Sequence, residues 1–247
     1  MRRPTRCHKT VTLRVMRPLA PWIARLALLG SLFATPSALA REHNHGAWLT
    51  AGLKGPIGRS EDTRWNYVLH GEYRAYDAFD GLRYSVMRVG AGYRLDHGFS
   101  LLGGLDRHHS RLVAGGSLTE VRLWQAVQWK HRFDNDWSFS ARARIEQRDF
   151  DKRDGTYWRF RTKLGLDIPF STRDNLAWVL SVEPFFQVHN PNGSNAGMNQ
   201  VRSFVGLNID TGEHASVEVG YLNQYGRVRD GADIINHMLQ VNLRFSQ

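Results

Sequence analysis

Arg142, Arg144, Glu146 and Arg148 recur in this chain at every second position, and Arg159 and Arg161 repeat the spacing. Glu183, Arg202 and Glu218 stand in later segments with the same parity relative to their apolar neighbours. Two kinds of chemistry suit such a set. Glutamates set among arginines could hold an anionic substrate, because a guanidinium grips carboxylate or phosphate in a fork. A carboxylate pair such as Glu146 and Glu183 is also the minimum equipment for glycoside or ester hydrolysis. A plainer use is a ladder of ion pairs filling a narrow interior. The absence of any motif spacing around the two glutamates favours the ladder.

The elements that carry these residues beat with period two. Trp137, Phe139, Ala141, Ala143 and Ile145 fall on one face of a strand, with Ser138, Ser140 and the charged set on the other. The next segment sets Trp158, Phe160, Thr162, Leu164, Leu166 and Ile168 against Tyr157, Arg159, Arg161, Lys163 and Asp167. Side chains alternate across a strand, so each segment has one greasy and one charged face. A charged face this dense belongs either on the outside of a soluble sheet or on the inside of a membrane barrel.

The N-terminal residues favour export. Residues 1–40 carry seven basic side chains and no acidic one, then the apolar run Leu26–Ala34, then Ser37-Ala38-Leu39-Ala40. This is the pattern of a secretory signal peptide cleaved after Ala40, with an apolar run too short to span a membrane as a helix. Without those seven, residues 41–247 hold 26 basic and 23 acidic residues, so the +10 of the whole chain falls to +3. Nucleic-acid binding thereby loses its main support. The single cysteine, Cys7, lies in the leader, so a disulfide scaffold, a thiol nucleophile and a thiolate metal site are excluded from residues 41–247.

Turn signals such as Asp96-His97-Gly98, Asp134-Asn135-Asp136 and Asp210-Thr211-Gly212 cut residues 41–247 into eleven strand-like segments of one all-β domain. Many are 12 to 16 residues long, beyond the ordinary soluble strand and suited to a tilted membrane span. Aromatic residues gather near segment ends, among them Trp65, Trp129, Trp158, Trp178 and Phe245. Bacterial single-chain barrels have even strand numbers. Eleven segments therefore predict ten strands, with 47–54 outside the wall, or twelve with one overlooked. Pro184 predicts a bulge or a weakened ladder. Arg88, Arg94 and five glycines blur the alternation across 82–109.

The histidines suggest little. His43 and His45, and the pair His108-His109 placed in a loop, have no carboxylate or cysteine at metal-ligand spacing, so no metal is expected. His189 lies five positions from Ser194, across Pro191, which does not secure a nucleophile and its base.

Trp48-Leu49-Thr50, Glu146-Gln147-Arg148, Arg159-Phe160-Arg161, Glu183 with Phe185-Phe186, Arg202 with Gly206-Leu207, Gly220-Tyr221 with Asn223-Gln224, and His237 recur in that order. Together they resemble the bacterial proteins grouped as domain of unknown function 2490, over nearly all of residues 47–245. The resemblance implies an outer-membrane β-barrel and carries no activity, cofactor or catalytic residue.

The expectation is an antiparallel transmembrane β-barrel of ten or twelve strands in the outer membrane, formed by residues 41–247 after a cleaved signal peptide. Its lumen is lined by Arg142, Arg144, Glu146, Arg148, Arg159, Arg161, Glu183, Arg202 and Glu218 as candidate ligand or ion contacts. The function expected is non-enzymatic, a binding scaffold or narrow anion-biased channel, with no cofactor. Expected partners are outer-membrane lipid and lipopolysaccharide, and the barrel-assembly machinery through the last strand, which ends at Phe245. Two alternatives stay open: a small enzyme acting on lipid at the barrel rim, and a soluble secreted β-barrel.

Overall fold

The computed structural model describes residues 41–58, 63–76, 81, 83–112, 115–191, 196–228 and 231–247. The leader and its cleavage after Ala40 lie outside these residues, as does Ser194. The alternation is realised as eleven strands: β1 (Arg41–Pro56), β2 (Trp65–Tyr76), β3 (Arg83–Arg94), β4 (Phe99–Arg111), β5 (Ser117–Arg132), β6 (Ser138–Phe150), β7 (Arg153–Phe170), β8 (Arg173–His189), β9 (Gly197–Gly212), β10 (Ala215–Gly226) and β11 (Asp233–Ser246). Each strand pairs with its sequence neighbours, and β1 meets β11 to close a barrel.

The strand number is eleven, which corrects the expectation of ten or twelve. All eleven segments read from the sequence stand in the wall. Up-and-down winding with an odd count makes the first and last strands run the same way. They pair in parallel from Arg41 with Asp233 to Lys54 with Ser246, whereas the other seams are antiparallel. A closed ring can therefore accept an odd number at the cost of one parallel ladder, slightly weaker per residue than an antiparallel one. As a consequence, the two ends of the described chain emerge at opposite mouths. We call these the N mouth, beside Arg41, and the C mouth, beside Ser246.

Four of the five connections at the C mouth are short, the exception being residues 57–64 between β1 and β2, and one of the short ones shows why. In the 3₁₀ turn at Asp96–Gly98, Gly98 has φ +82°, and a Cβ there would lie 2.2 Å from the carbonyl oxygen of Lys130. Only glycine fits. Pro184 behaves as expected: the β7–β8 pairing is interrupted between Arg161–Phe185 and Leu164–Val182, and β8–β9 shifts register after Phe185.

Alternation then sorts the side chains. Leu49, Leu105, Val121, Leu164, Leu180 and Leu239 point outward and are all exposed, Leu239 at 59%. Arg144, Glu146, Arg159, Arg161 and Glu183 point inward and are buried. The blurred stretch 82–109 obeys the same rule. Arg88 faces Asp106 inside, and Gly90 and Gly104 lie under the indole of Trp124, whose Cζ2 would sit 3.0 and 2.8 Å from a Cβ at either position. Phe204 covers Gly206 and Gly220 in the same manner. These glycines are sockets for large rings, not breaks in the strands. His108 and His109 also differ from expectation, since both lie in β4 and not in a loop, with His108 buried inside.

Candidate functional site

Because β5, β6 and β7 are neighbours with their charged faces inward, Glu146 comes to the centre of the lumen with no exposed surface. Arg159 donates to its Oε2 from Nε at 2.8 Å and from Nη2 at 2.5 Å. Arg144 Nε lies 2.8 Å and Arg161 Nε 3.2 Å from Oε1, charge contacts not aligned as hydrogen bonds. Arg122 Nη1 stands 4.0 Å from Oε2. One carboxylate thus anchors guanidinium groups from three strands.

The network runs on from there. Arg144 Nη2 also reaches Asp106 Oδ2 at 2.7 Å, and Arg88 grips the same carboxylate with two bonds of 2.7 and 2.8 Å. Arg161 Nη1 lies 3.5 Å from Glu183, which takes Arg142 Nη2 at 3.0 Å and stands 3.8 Å from Arg202. Glu120 binds Arg122 and accepts two bonds from Arg148, 2.5 and 3.1 Å long. Glu72 pairs with Arg74, and Glu218 with Arg244. Among these groups ten arginines answer six carboxylates, an excess of four positive charges, with the Glu218–Arg244 pair standing apart from the rest.

Aromatic faces take up part of that excess. Phe185, fully buried, has the guanidinium carbons of Arg159, Arg161 and Arg202 at 5.2, 5.3 and 4.5 Å from its ring centre. Trp48 lies between Arg74 at 3.5 Å and Arg202 at 4.7 Å, and Trp124 carries Arg144 at 4.2 Å. A ring's negative face attracts a desolvated cation. Tyr84 adds a polar link, accepting from Arg122 at 3.0 Å and meeting His108 Nδ1 at 2.5 Å.

Toward the C mouth the content changes. Gly52, Ser140, Gly165, Ser181 and Ser216 line that part of the lumen, and their short side chains leave room. Lys54, Lys130 and Lys163 also face it, and none makes an ion pair among the described residues. The lumen as a whole encloses about 2010 Å³.

Of the nine residues proposed from sequence, Arg142, Arg144, Glu146, Arg148, Arg159, Arg161, Glu183 and Arg202 join one network. Glu218 does not, and pairs with Arg244 nearer the C mouth. The sequence reading missed Arg88, Asp106, Glu120, Arg122, Glu72 and Arg74. Their parity was available: Glu120, Arg122 and Trp124 alternate with Val121 and Leu123 in β5. The glycines of β3 and β4 hid Arg88 and Asp106.

Other candidates do not assemble a reaction centre. His43 and His45 lie in β1, where His43 Nδ1 is 2.9 Å from His237 Nε2 and His45 stacks on His237 at 5.2 Å. These outward-facing rings stack and do not converge, and no group of three metal-ligating side chains converges among the described residues. His189 is exposed at the end of β8.

Known proteins were then compared with this chain. An uncharacterized protein of Methylorubrum extorquens is 25% identical over 210 residues, which cover 79% of this chain and 85% of the relative. Among solved structures, the beta domain of the Bordetella autotransporter BrkA aligns with a TM-score of 0.45 at 15% identity, covering 76% of this chain and 86% of that domain. The family described as "Protein of unknown function (DUF2490)" matches residues 45–235. With most of its barrel inside that match, the chain belongs to the DUF2490 family.

Proposed function

We propose that this chain is exported by its N-terminal leader and resides in an outer membrane, where its lumen holds and conducts small anions without catalysing a reaction. The observation that carries the proposal is the inversion of the barrel. Its outer wall is apolar around the circumference, with Leu49 48%, Met87 76%, Leu105 50%, Val121 48%, Leu164 44% and Leu239 59% exposed, while its charges are buried inside. In water such a wall would leave a continuous apolar surface far larger than soluble proteins tolerate. In a bilayer the same wall meets hydrocarbon, and closure leaves no unpaired strand edge.

Aromatic residues at the C mouth (Trp65, Tyr93, Phe99, Trp129, Trp178 and Phe245) supply the interfacial girdle such a barrel uses. Four of the five connections at that mouth are short, as periplasmic turns are, and Phe245 near the end of β11 is where assembly machinery would engage it. The four-charge excess and the three unpaired lysines give the lumen its anion bias, since rings of Lys and Arg favour anions in pores.

The test is a planar bilayer with the detergent-extracted protein across a potassium chloride gradient. A small steady current reversing near the chloride potential is expected. A silent bilayer despite confirmed insertion would remove conduction from the reading. Full solubility without detergent would remove the membrane itself.

A further inference from the structure

The outer wall is not uniform around the N mouth. Several strands carry aromatic or apolar side chains there, Tyr73 on β2, Trp158 on β7, Phe186 on β8 and Tyr221 on β10, and β1 and β11 carry the stacked His43, His45 and His237. On β4 the outward residues run Phe99, Leu101, Gly103, Leu105 and then Arg107, His109, Arg111, with no apolar residue after Leu105. All three of the last are exposed. The register sets Arg83 of β3 directly opposite Arg111, and Arg107 opposite Met87 and Val121.

Two carboxylates of the β6–β7 hairpin have partners of their own. Asp151 accepts the backbone N–H of Thr119 at 3.0 Å, and Asp149 accepts from Thr156 at 2.7 Å. Arg107 and Arg111 make no ion pair among the described residues. Immediately below lies apolar wall, with Met87 76%, Val89 53%, Leu105 50% and Val121 48% exposed. A concentrated positive charge thus sits at the edge of an apolar strip, at the N mouth.

We propose that the β3–β4 face at the N mouth binds the phosphate-bearing headgroup of a membrane lipid, with Arg107 and Arg111 as its phosphate ligands and the strip from Met87 to Val121 under its acyl chains. The inference rests on the membrane reading above and deepens it by naming a lipid site. Guanidinium groups grip phosphate oxygens in pairs. A phosphorylated glycolipid fits better than a zwitterionic phospholipid, whose own ammonium would face the arginines.

Native mass spectrometry of the detergent-solubilised barrel tests this with diphosphoryl lipid A, its dephosphorylated form and phosphatidylethanolamine. Wild type should retain diphosphoryl lipid A about tenfold or more over the dephosphorylated form, as charged hydrogen bonds to phosphate would give. The double variant Arg107→Gln, Arg111→Gln should lose that preference, while Arg132→Gln, whose residue pairs with Asp136 at the C mouth, should keep it. Equal retention of the two glycolipid forms by wild type would overturn the proposal, and so would an unchanged preference in the double variant. Complete displacement by millimolar inorganic phosphate would point to a free anion instead of a lipid. Should the double variant fail to fold, the wild-type preference alone decides. A barrel that needs no detergent would instead overturn the membrane reading.

Discussion

Around Glu146, the lumen is filled by guanidinium groups, carboxylates and aromatic rings, and Glu146, Arg144 and Phe185 are almost wholly buried. Toward the C mouth, Gly52, Ser140, Gly165 and Ser181 leave the same wall nearly bare, and Lys54 and Lys130 are exposed. Strand geometry is common to both regions, so the difference lies in side-chain volume and in pairing. In the packed region each charge is held by a partner and a missing one is costly. In the open region the cations are solvated and free to meet a solute. Stability therefore concentrates in one region and selectivity in the other.

The sharpest way to break that division is Glu146→Leu. It would leave Arg144, Arg159 and Arg161 without their shared carboxylate, and removing one partner of a buried pair costs about 3–5 kcal/mol. Loss of the heat-modifiable folded band on gels is the expected readout. A variant that folds like wild type would show that the network is only decoration.

Outside the barrel, Leu164→Arg tests the outer face of the neighbouring strand β7, and should cost about 2–4 kcal/mol if that face meets lipid. Refolding yield into vesicles measures it. Arg161→Leu, three positions away and inward, should do less harm, because Glu146 keeps Arg144 and Arg159 while Glu183 keeps Arg142. Equal tolerance of both changes would reverse the assignment of faces.

Gly104→Val examines the packing of rings on glycine. Its Cβ would meet the carbonyl oxygen of Val89 at 2.2 Å and Trp124 at 2.8 Å, so overpacking of about 1–3 kcal/mol is expected. A denaturant midpoint and the near-ultraviolet signal of the indole report it. The smallest stability effect belongs to the open region: Lys54→Glu should stay within about 0.5 kcal/mol. Its reversal potential should nevertheless move toward that of the cation, and an unmoved potential would place selectivity back among the arginines.

Much of this was legible in the chain. The alternation of Trp137–Arg148 and Tyr157–Ile168 assigned faces that the structure keeps, and eight of nine proposed lumen residues meet in one network. Arg88 and Asp106 were obscured because Gly90, Gly92, Gly103 and Gly104 carry no side chain to show parity. The strand number was misjudged for a different reason: a rule about even counts overrode eleven readable segments. His108 was read as a solvated loop residue because His109 and Ser110 beside it look like loop, whereas β4 continues to Arg111.

What the sequence determined by itself is local: which side of each strand a residue occupies, where turns fall, and that charge and grease lie on opposite faces. Period two follows from the pleat and needs no partner strand. Partnership required the closed ring. The pairing of β4, β5 and β6 brings Arg144 to Asp106 across 38 positions, and only closure lays Arg202 against Trp48 and pairs β1 with β11 in parallel. Those contacts depend on register and curvature, which are properties of all eleven strands at once and are written in no single one of them.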